Sequence, residues 1–129
     1  MLRSLRGQIH QVHTGIVVVN KVTGKTVVDV ATIDVPFRLY TDAELEAYLT
    51  SKDPLDKAGG YNIQHAGFHP VERFAGCFAG VMGLPLCHLT RALIRMGIRI
   101  EVDIAALCQS TLVYNCPVFK NILSGRSHL

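Results

Sequence analysis

The side chains best able to do chemistry together stand in one run, Asp53-Pro54-Leu55-Asp56-Lys57-Ala58-Gly59-Gly60-Tyr61-Asn62-Ile63-Gln64. Asp53, Asp56 and Lys57 supply charge of both signs, and Asn62 and Gln64 supply amides that both donate and accept hydrogen bonds. Pro54 fixes its own φ and biases Asp53 towards an extended backbone. Gly59 and Gly60 allow positive φ and let a ligand come close to the main chain. The run falls between a predicted helix and a predicted strand, so a loop is expected, and rigidly mounted loops are where binding chemistry tends to sit. An ordinary solvated Pro/Asp/Gly connection has a similar composition, and at this level both readings stand.

The elements that must position this run follow from local pattern. Leu2 and Leu5 at helical spacing, with Gly7 as a stop, predict the end of a helix over residues 1–7. Residues 8–20 read as a strand whose Ile16–Val19 run predicts burial on both faces. Val22-Thr23-Gly24-Lys25 is a turn and Thr26 to Phe37 the returning strand of a β-hairpin, with Pro36 ending regular pairing or lying at an edge. Thr41 with Glu44 three residues on is a capping box, opening a helix with Leu45, Tyr48 and Leu49 as its buried stripe. Residues 69–83 predict one or two strands bent at Gly76, Gly80 and Gly83. Pro85 begins a helix with Leu86, Leu89, Leu93 and Met96 on its apolar face and Gly97 at its end. Ile98 to Ile104 alternates as a half-buried strand does, and Asp103 is suited to cap a short helix through Leu107.

Composition bounds the function. A chain of 129 residues suits one domain, and 49% apolar against 18% charged residues makes it globular rather than disordered. A net charge of +3 with no Lys/Arg run argues against a nucleic-acid partner but suits a polyanionic small molecule. Apolar stretches break well before membrane-spanning length, and no secretory leader pattern follows Arg3 and Arg6, so neither a membrane partner nor export is expected. Cys77, Cys87, Cys108 and Cys116 lack CxxC spacing and read as four buried, reduced thiols. His10 and His13 point to opposite strand faces, and Gly67 and Pro70 argue against a helix presenting His65 with His69, so no protein metal site is expected.

Several segments match a known family in order. Asp56-Lys57-Ala58-Gly59-Gly60-Tyr61-Asn62-Ile63-Gln64 resembles the Asp-Lys-Ala-Gly-Xaa-Tyr-Gly-Ile-Gln signature of the Maf family of nucleoside triphosphate pyrophosphatases. His10-Gln11-Val12-His13-Thr14-Gly15 resembles the family's His-Xaa-Val-Xaa-Thr-Gly strand, and Val35-Pro36-Phe37-Arg38 its Val-Xaa-Phe-Arg. Val81-Met82-Gly83-Leu84-Pro85-Leu86 matches Val-Val/Met-Gly-Leu-Pro-Leu. Asn62 departs from the family's glycine, and Asp53 from its glutamate before the proline. The resemblance implies a mixed α/β fold like that of Maf and inosine triphosphate pyrophosphatase, without the N-terminal part of the domain. Residues 1–104 would be the Maf-like part, and residues 105–129 an extension with a free tail. The family's Ser-Xaa-Arg-Arg phosphate loop and its Asp-Thr segment, whose aspartate is taken as the base, lie upstream of the point that matches Met1.

The resemblance further implies cleavage of a nucleoside triphosphate between its α and β phosphates, assisted by a divalent metal, magnesium. Lys57 would place a compact positive charge on phosphate oxygens, and Asp56 would hold a metal-bound water or orient Lys57. A loop salt bridge is the plainer role for that adjacent pair. Gln64 would read a uracil or thymine carbonyl and ring N–H, which points to the dTTP/UTP branch, unless its amide serves only neighbouring backbone. Thr14 matches the strand threonine, though strand threonines often only pack. The alternative is a catalytically inactive Maf-like half that binds nucleotide or another protein, with self-association expected from uncovered apolar faces. The location expected is cytoplasmic. Ser127-His128-Leu129 offers a peroxisome-like organelle as the alternative, through its likeness to the Ser-Lys-Leu address.

Overall fold

The computed structural model describes residues 2–51, 68 and 70–125. Asp53 to Gln64 and Ser127 to Leu129 therefore lie outside the described residues. Among the described residues the protein is mixed α/β, with one two-stranded antiparallel sheet and six helices. The chain forms two compact units, Met1–His10 with Asp34–Phe74 and Gln11–Ile33 with Ala75–Leu129. Both strands, β1 (Ile9–Val19) and β2 (Thr26–Pro36), pass from one unit into the other.

In the first unit α1 (Leu2–Leu5) ends at Gly7, whose φ of +68° suits glycine. A Cβ there would lie 2.6 Å from Leu39 Cδ2, the end of an exposed side chain that can swing aside, so it is the turn that needs glycine. Helix α2 (Asp42–Thr50) opens on the expected capping box: the Glu44 amide donates to Thr41 Oγ1, and the Thr41 amide to Glu44 Oε2 at 2.7 Å. Leu45 and Tyr48 are buried, whereas Leu49 is exposed, contrary to the predicted stripe. Leu45 and Tyr48 centre the buried face, and Leu49 falls on its flank. Around them Tyr40, Tyr48, Phe37 and Phe68 build an aromatic core, with the Tyr40 hydroxyl donating to the Leu2 carbonyl.

In the second unit the hairpin turn is held by Asn20, whose Oδ1 accepts from the amides of Val22 and Thr23. Ile16, Ala31 and Ile33 point inward and are buried. The same alternation leaves Val17 and Val19 exposed, so the expectation of burial on both strand faces does not hold. Where strands were expected over residues 69–83, the described chain has only an isolated bridge, Phe37 to Val71, followed by α3 (Phe78–Met82). Gly80 sits inside that helix because a Cβ would fall 2.6 Å from Ile33 Cδ1, and Gly83 ends it in the left-handed region. What reads as strand punctuation is thus a close helix–strand approach and a helix stop.

Helix α4 (Leu86–Arg95) follows Pro85 as expected, but Cys87, His88, Thr90, Arg91 and Ala92 form its buried set while Leu86, Leu89, Leu93 and Met96 are only half-buried. The reason is a buried ion pair. Arg91 donates from Nε and Nη2 to Asp29 of β2 at 2.5 and 2.7 Å, and from Nη1 to the Ile122 carbonyl at 3.1 Å. Burial of both partners requires this pairing, and it draws Arg91's side of the helix inward. Residues 98–103 are not a strand, and Ile98 and Val102 are exposed. No second strand pairs with them among the described residues, and alternation alone cannot satisfy a strand's backbone. Asp103 instead accepts from the Ala106 amide and caps α5, which runs from Ile104 to Leu112, further than predicted. Helix α5 and α6 (Phe119–Leu123) both pack on α4.

All four cysteines line one small apolar cavity among these helices, together with Phe78, Leu86, Phe119 and Ile122. Cys77 and Cys87 are buried, but Cys108 and Cys116 are half-buried, a departure from the expectation of four buried thiols. Burial pushes the thiols of Cys77, Cys87 and Cys108 up, Cys87 to about 12, so these three pack as neutral side chains and not as nucleophiles. Among the described residues no helix is long and apolar enough to cross a membrane.

Candidate functional site

Of the four residues singled out by sequence, Thr14 alone is described; Asp56, Lys57 and Gln64 lie outside the described residues. Thr14 stands on β1, and its Oγ1 donates to the Gly80 carbonyl at 2.9 Å. That bond ties β1 to α3 and leaves the hydroxyl oxygen able to accept.

What the structure does describe is the mounting of the signature run at both ends. Its N-terminal side leaves from Ser51, the last residue of the α2 turn, whose amide and Oγ both donate to the Tyr48 carbonyl at 3.2 and 2.5 Å. Its C-terminal side returns at Phe68, which stacks on Tyr48 with centroids 4.3 Å apart and planes 16° from parallel. Tyr48 thus touches both ends, and a ring pair of this kind contributes about 0.5–1.5 kcal/mol beyond its area.

Arg38 secures the returning end more firmly. Its Nη2 donates to the Phe68 carbonyl, its Nη1 to Glu44 Oε2 at 3.2 Å, and its amide to the Pro70 carbonyl at 3.0 Å. Its guanidinium also lies 5.8 Å from the centroids of both the Tyr40 and Phe68 rings. Beside it, Phe37 bridges Val71, and the Glu72 amide donates to the Pro36 carbonyl at 3.1 Å. The Val35–Arg38 segment therefore holds Phe68, Pro70, Val71 and Glu72 through main chain and side chain together. Glu44 closes the circuit: the Thr41 amide and then Arg38 hold its carboxyl below the usual range.

Sequence reasoning singled out the loop and missed its mounting by Arg38, Glu44, Tyr48 and Phe68. The signal available for Arg38 was its place in the Val35-Pro36-Phe37-Arg38 match; nothing in the linear pattern joins it to Phe68 thirty residues on. Among the described residues no group of three His, Cys, Asp or Glu side chains is placed to hold a metal ion.

The family model for Maf-like protein matches residues 1–96. The chain belongs to the Maf family. It is 39% identical over 109 residues to a dTTP/UTP pyrophosphatase of Syntrophotalea carbinolica, covering 84% of this chain and 50% of that protein. A dTTP/UTP pyrophosphatase of Alkaliphilus metalliredigens is 42% identical over 93 residues, covering 72% and 48%. That of Pasteurella multocida is 39% identical over 100 residues, covering 78% and 49%. The chain spans about half the length of the curated relatives it matches.

Proposed function

We propose that this chain supplies the signature-loop half of a dTTP/UTP pyrophosphatase, which converts a nucleoside triphosphate and water to the monophosphate and pyrophosphate. The observation that carries the reading is the Asp53–Gln64 signature, flanked by Ser51 and Phe68 that Tyr48 and Arg38 hold, in a family whose relatives bear that name. In this proposal Lys57 lies on phosphate oxygens and Gln64 reads the carbonyl and ring N–H of uracil or thymine. Asp56 is the loop carboxylate for a magnesium-bound water, and the metal's contribution would be to draw charge from the phosphates. Thr14 is assigned to substrate binding through the free acceptor side of its hydroxyl. A cytoplasmic setting belongs to the same proposal.

Half-length coverage favours a second reading beside it, in which the chain binds nucleotide or another protein without turning substrate over. One set of assays separates them. Calorimetric binding of dTTP, UTP and dGTP is measured beside magnesium-dependent pyrophosphate release. The pyrophosphatase reading expects the chain alone to bind dTTP and UTP in preference to dGTP, to lose that preference in Gln64→Glu, and to turn over well below about 1 per second. Binding with no base preference would overturn the assignment of Gln64. Faster turnover by the chain alone would overturn the need for the other half.

A further inference from the structure

The thiols around the helical cavity differ in access. Cys77, which caps α3, and Cys87, in the first turn of α4, are buried. Cys108 on α5 and Cys116 beyond it are only half-buried, so small reagents can reach them. The cavity itself holds about 20 Å³, room for no more than a water molecule, and no ligand fits among the thiols. Nor do three of them converge as the ligands of a metal ion must. The chemistry left to them is with one another.

Cys108 and Cys116 stand on either side of a tight reversal. Val113 ends α5 at φ 51° and ψ 51°, a left-handed conformation that β-branched residues rarely adopt. Gln109 fastens the turn: its carbonyl accepts from the Tyr114 amide at 3.1 Å, and its Oε1 from the Cys116 amide at 2.9 Å. Its Nε2 donates to the Ala105 carbonyl at 3.2 Å, which holds the side chain along α5. Cys116 is thereby kept beside the residue that follows Cys108, and Pro117 biases its backbone towards an extended shape. Electrostatics agrees with this placement, since burial and then a charge on Cys116 raise the Cys108 thiol. Both residues lie beyond the family match, whereas Cys77 and Cys87 lie within it.

We propose that Cys108 and Cys116 form a reversible dithiol–disulfide pair, oxidised by a small-molecule disulfide of the glutathione class. The Cys116 thiolate attacks one sulfur of that disulfide, forming a mixed disulfide and releasing one thiolate. Cys108, neutral at rest, then loses its proton to water and attacks the Cys116 sulfur, and the second thiolate leaves. Two protein thiols are oxidised by two electrons while one disulfide is reduced to two thiols. The resting neutrality of Cys108 slows the second step, but attack within one turn of chain is intramolecular and needs little thiolate. Closure ties the end of α5 to the segment leading into α6, the two helices that pack on α4. No nucleotide takes part.

The folded full chain is incubated with oxidised glutathione and quenched in acid. Its remaining thiols are alkylated, the chain is weighed by mass spectrometry, and the link is mapped on peptides. A monomer that has lost two of its four thiols, carries no glutathione and is linked from Cys108 to Cys116 is expected. Dithiothreitol should restore all four. Cys108→Ser should instead retain glutathione on Cys116, and Cys116→Ser should lose thiols at least about 10-fold more slowly. Where serine disturbs the packing, Cys108→Ala should give the same adduct. Four free thiols after oxidation, a lasting glutathione adduct on the wild-type chain, a link from Cys116 to Cys77 or Cys87, or a disulfide between two copies would each overturn the proposal.

Discussion

Arg38 combines a charge-assisted bond to the Phe68 carbonyl, an ion pair with Glu44 and two aromatic faces, so it holds the end of the candidate loop by several means at once. Arg38→Met should cost about 1.5–3 kcal/mol, the range for a hydrogen bond to a charged group, read as a fall in chemical-denaturation midpoint. Arg38→Lys should recover little of it, because a lysine cannot reach the carbonyl and the carboxylate with a planar fork. Full recovery in Arg38→Lys would show that charge alone matters. Asp29 is the other telling residue. The Arg91 bond holds its carboxyl below the usual range, so the folded value is depressed. Its contribution is therefore present above the unfolded value and is lost as pH falls through the lower, folded one. Asp29→Ala removes the carboxylate facing the buried Arg91 guanidinium and should cost about 3–5 kcal/mol at neutral pH. The difference from wild type should shrink in acid, and a pH-independent difference by calorimetry would refute this account.

At the level of elements, α3 against β2 is the contact most sensitive to one atom. In Gly80→Ala the new Cβ would meet Ile33 Cδ1 at 2.6 Å and Cys77 Sγ at 3.3 Å, and overpacking of this kind costs about 1–3 kcal/mol. Ile33→Val removes that Cδ1. In its background Gly80→Ala should become neutral or stabilising, since alanine is the better helix former by about 1 kcal/mol. A double-mutant cycle with no coupling would place the constraint elsewhere. Helix α2 depends on local chemistry in a simpler way. Thr41→Ala removes the acceptor for the Glu44 amide and should lower stability by about 1 kcal/mol, measured by thermal unfolding.

For the whole molecule, the family match covers residues 1–96, and the helices that follow the hairpin enclose a cluster of thiols. The four thiols offer a check at this scale. Buried among apolar helices and held neutral, Cys77 and Cys87 should resist alkylation at neutral pH in the folded chain and react at once in denaturant. Alkylation of Cys87 in the folded protein at the rate of a free thiol would contradict the packing described here.

Local chemistry could be read directly from the sequence: Thr41 with Glu44, Gly7 and Gly97 as stops, Asp103 as a cap, and the hairpin turn all depend on residues within a few positions of one another. The family and its signature loop were legible for the same reason, since that pattern is contiguous. Tertiary structure alone decided whatever depends on a distant partner. Ile98 to Ile104 alternates like a strand, yet no strand pairs with it among the described residues, and the Asp103 cap wins. Gly80 looks like a bend until Ile33 is seen beside it, and α4 turns Arg91 inward because Asp29 stands on β2. Arg38 could be noticed in its motif, but its hold on Phe68 exists only after the chain has folded back thirty residues, because a hydrogen bond between such distant residues leaves no periodic trace in the sequence.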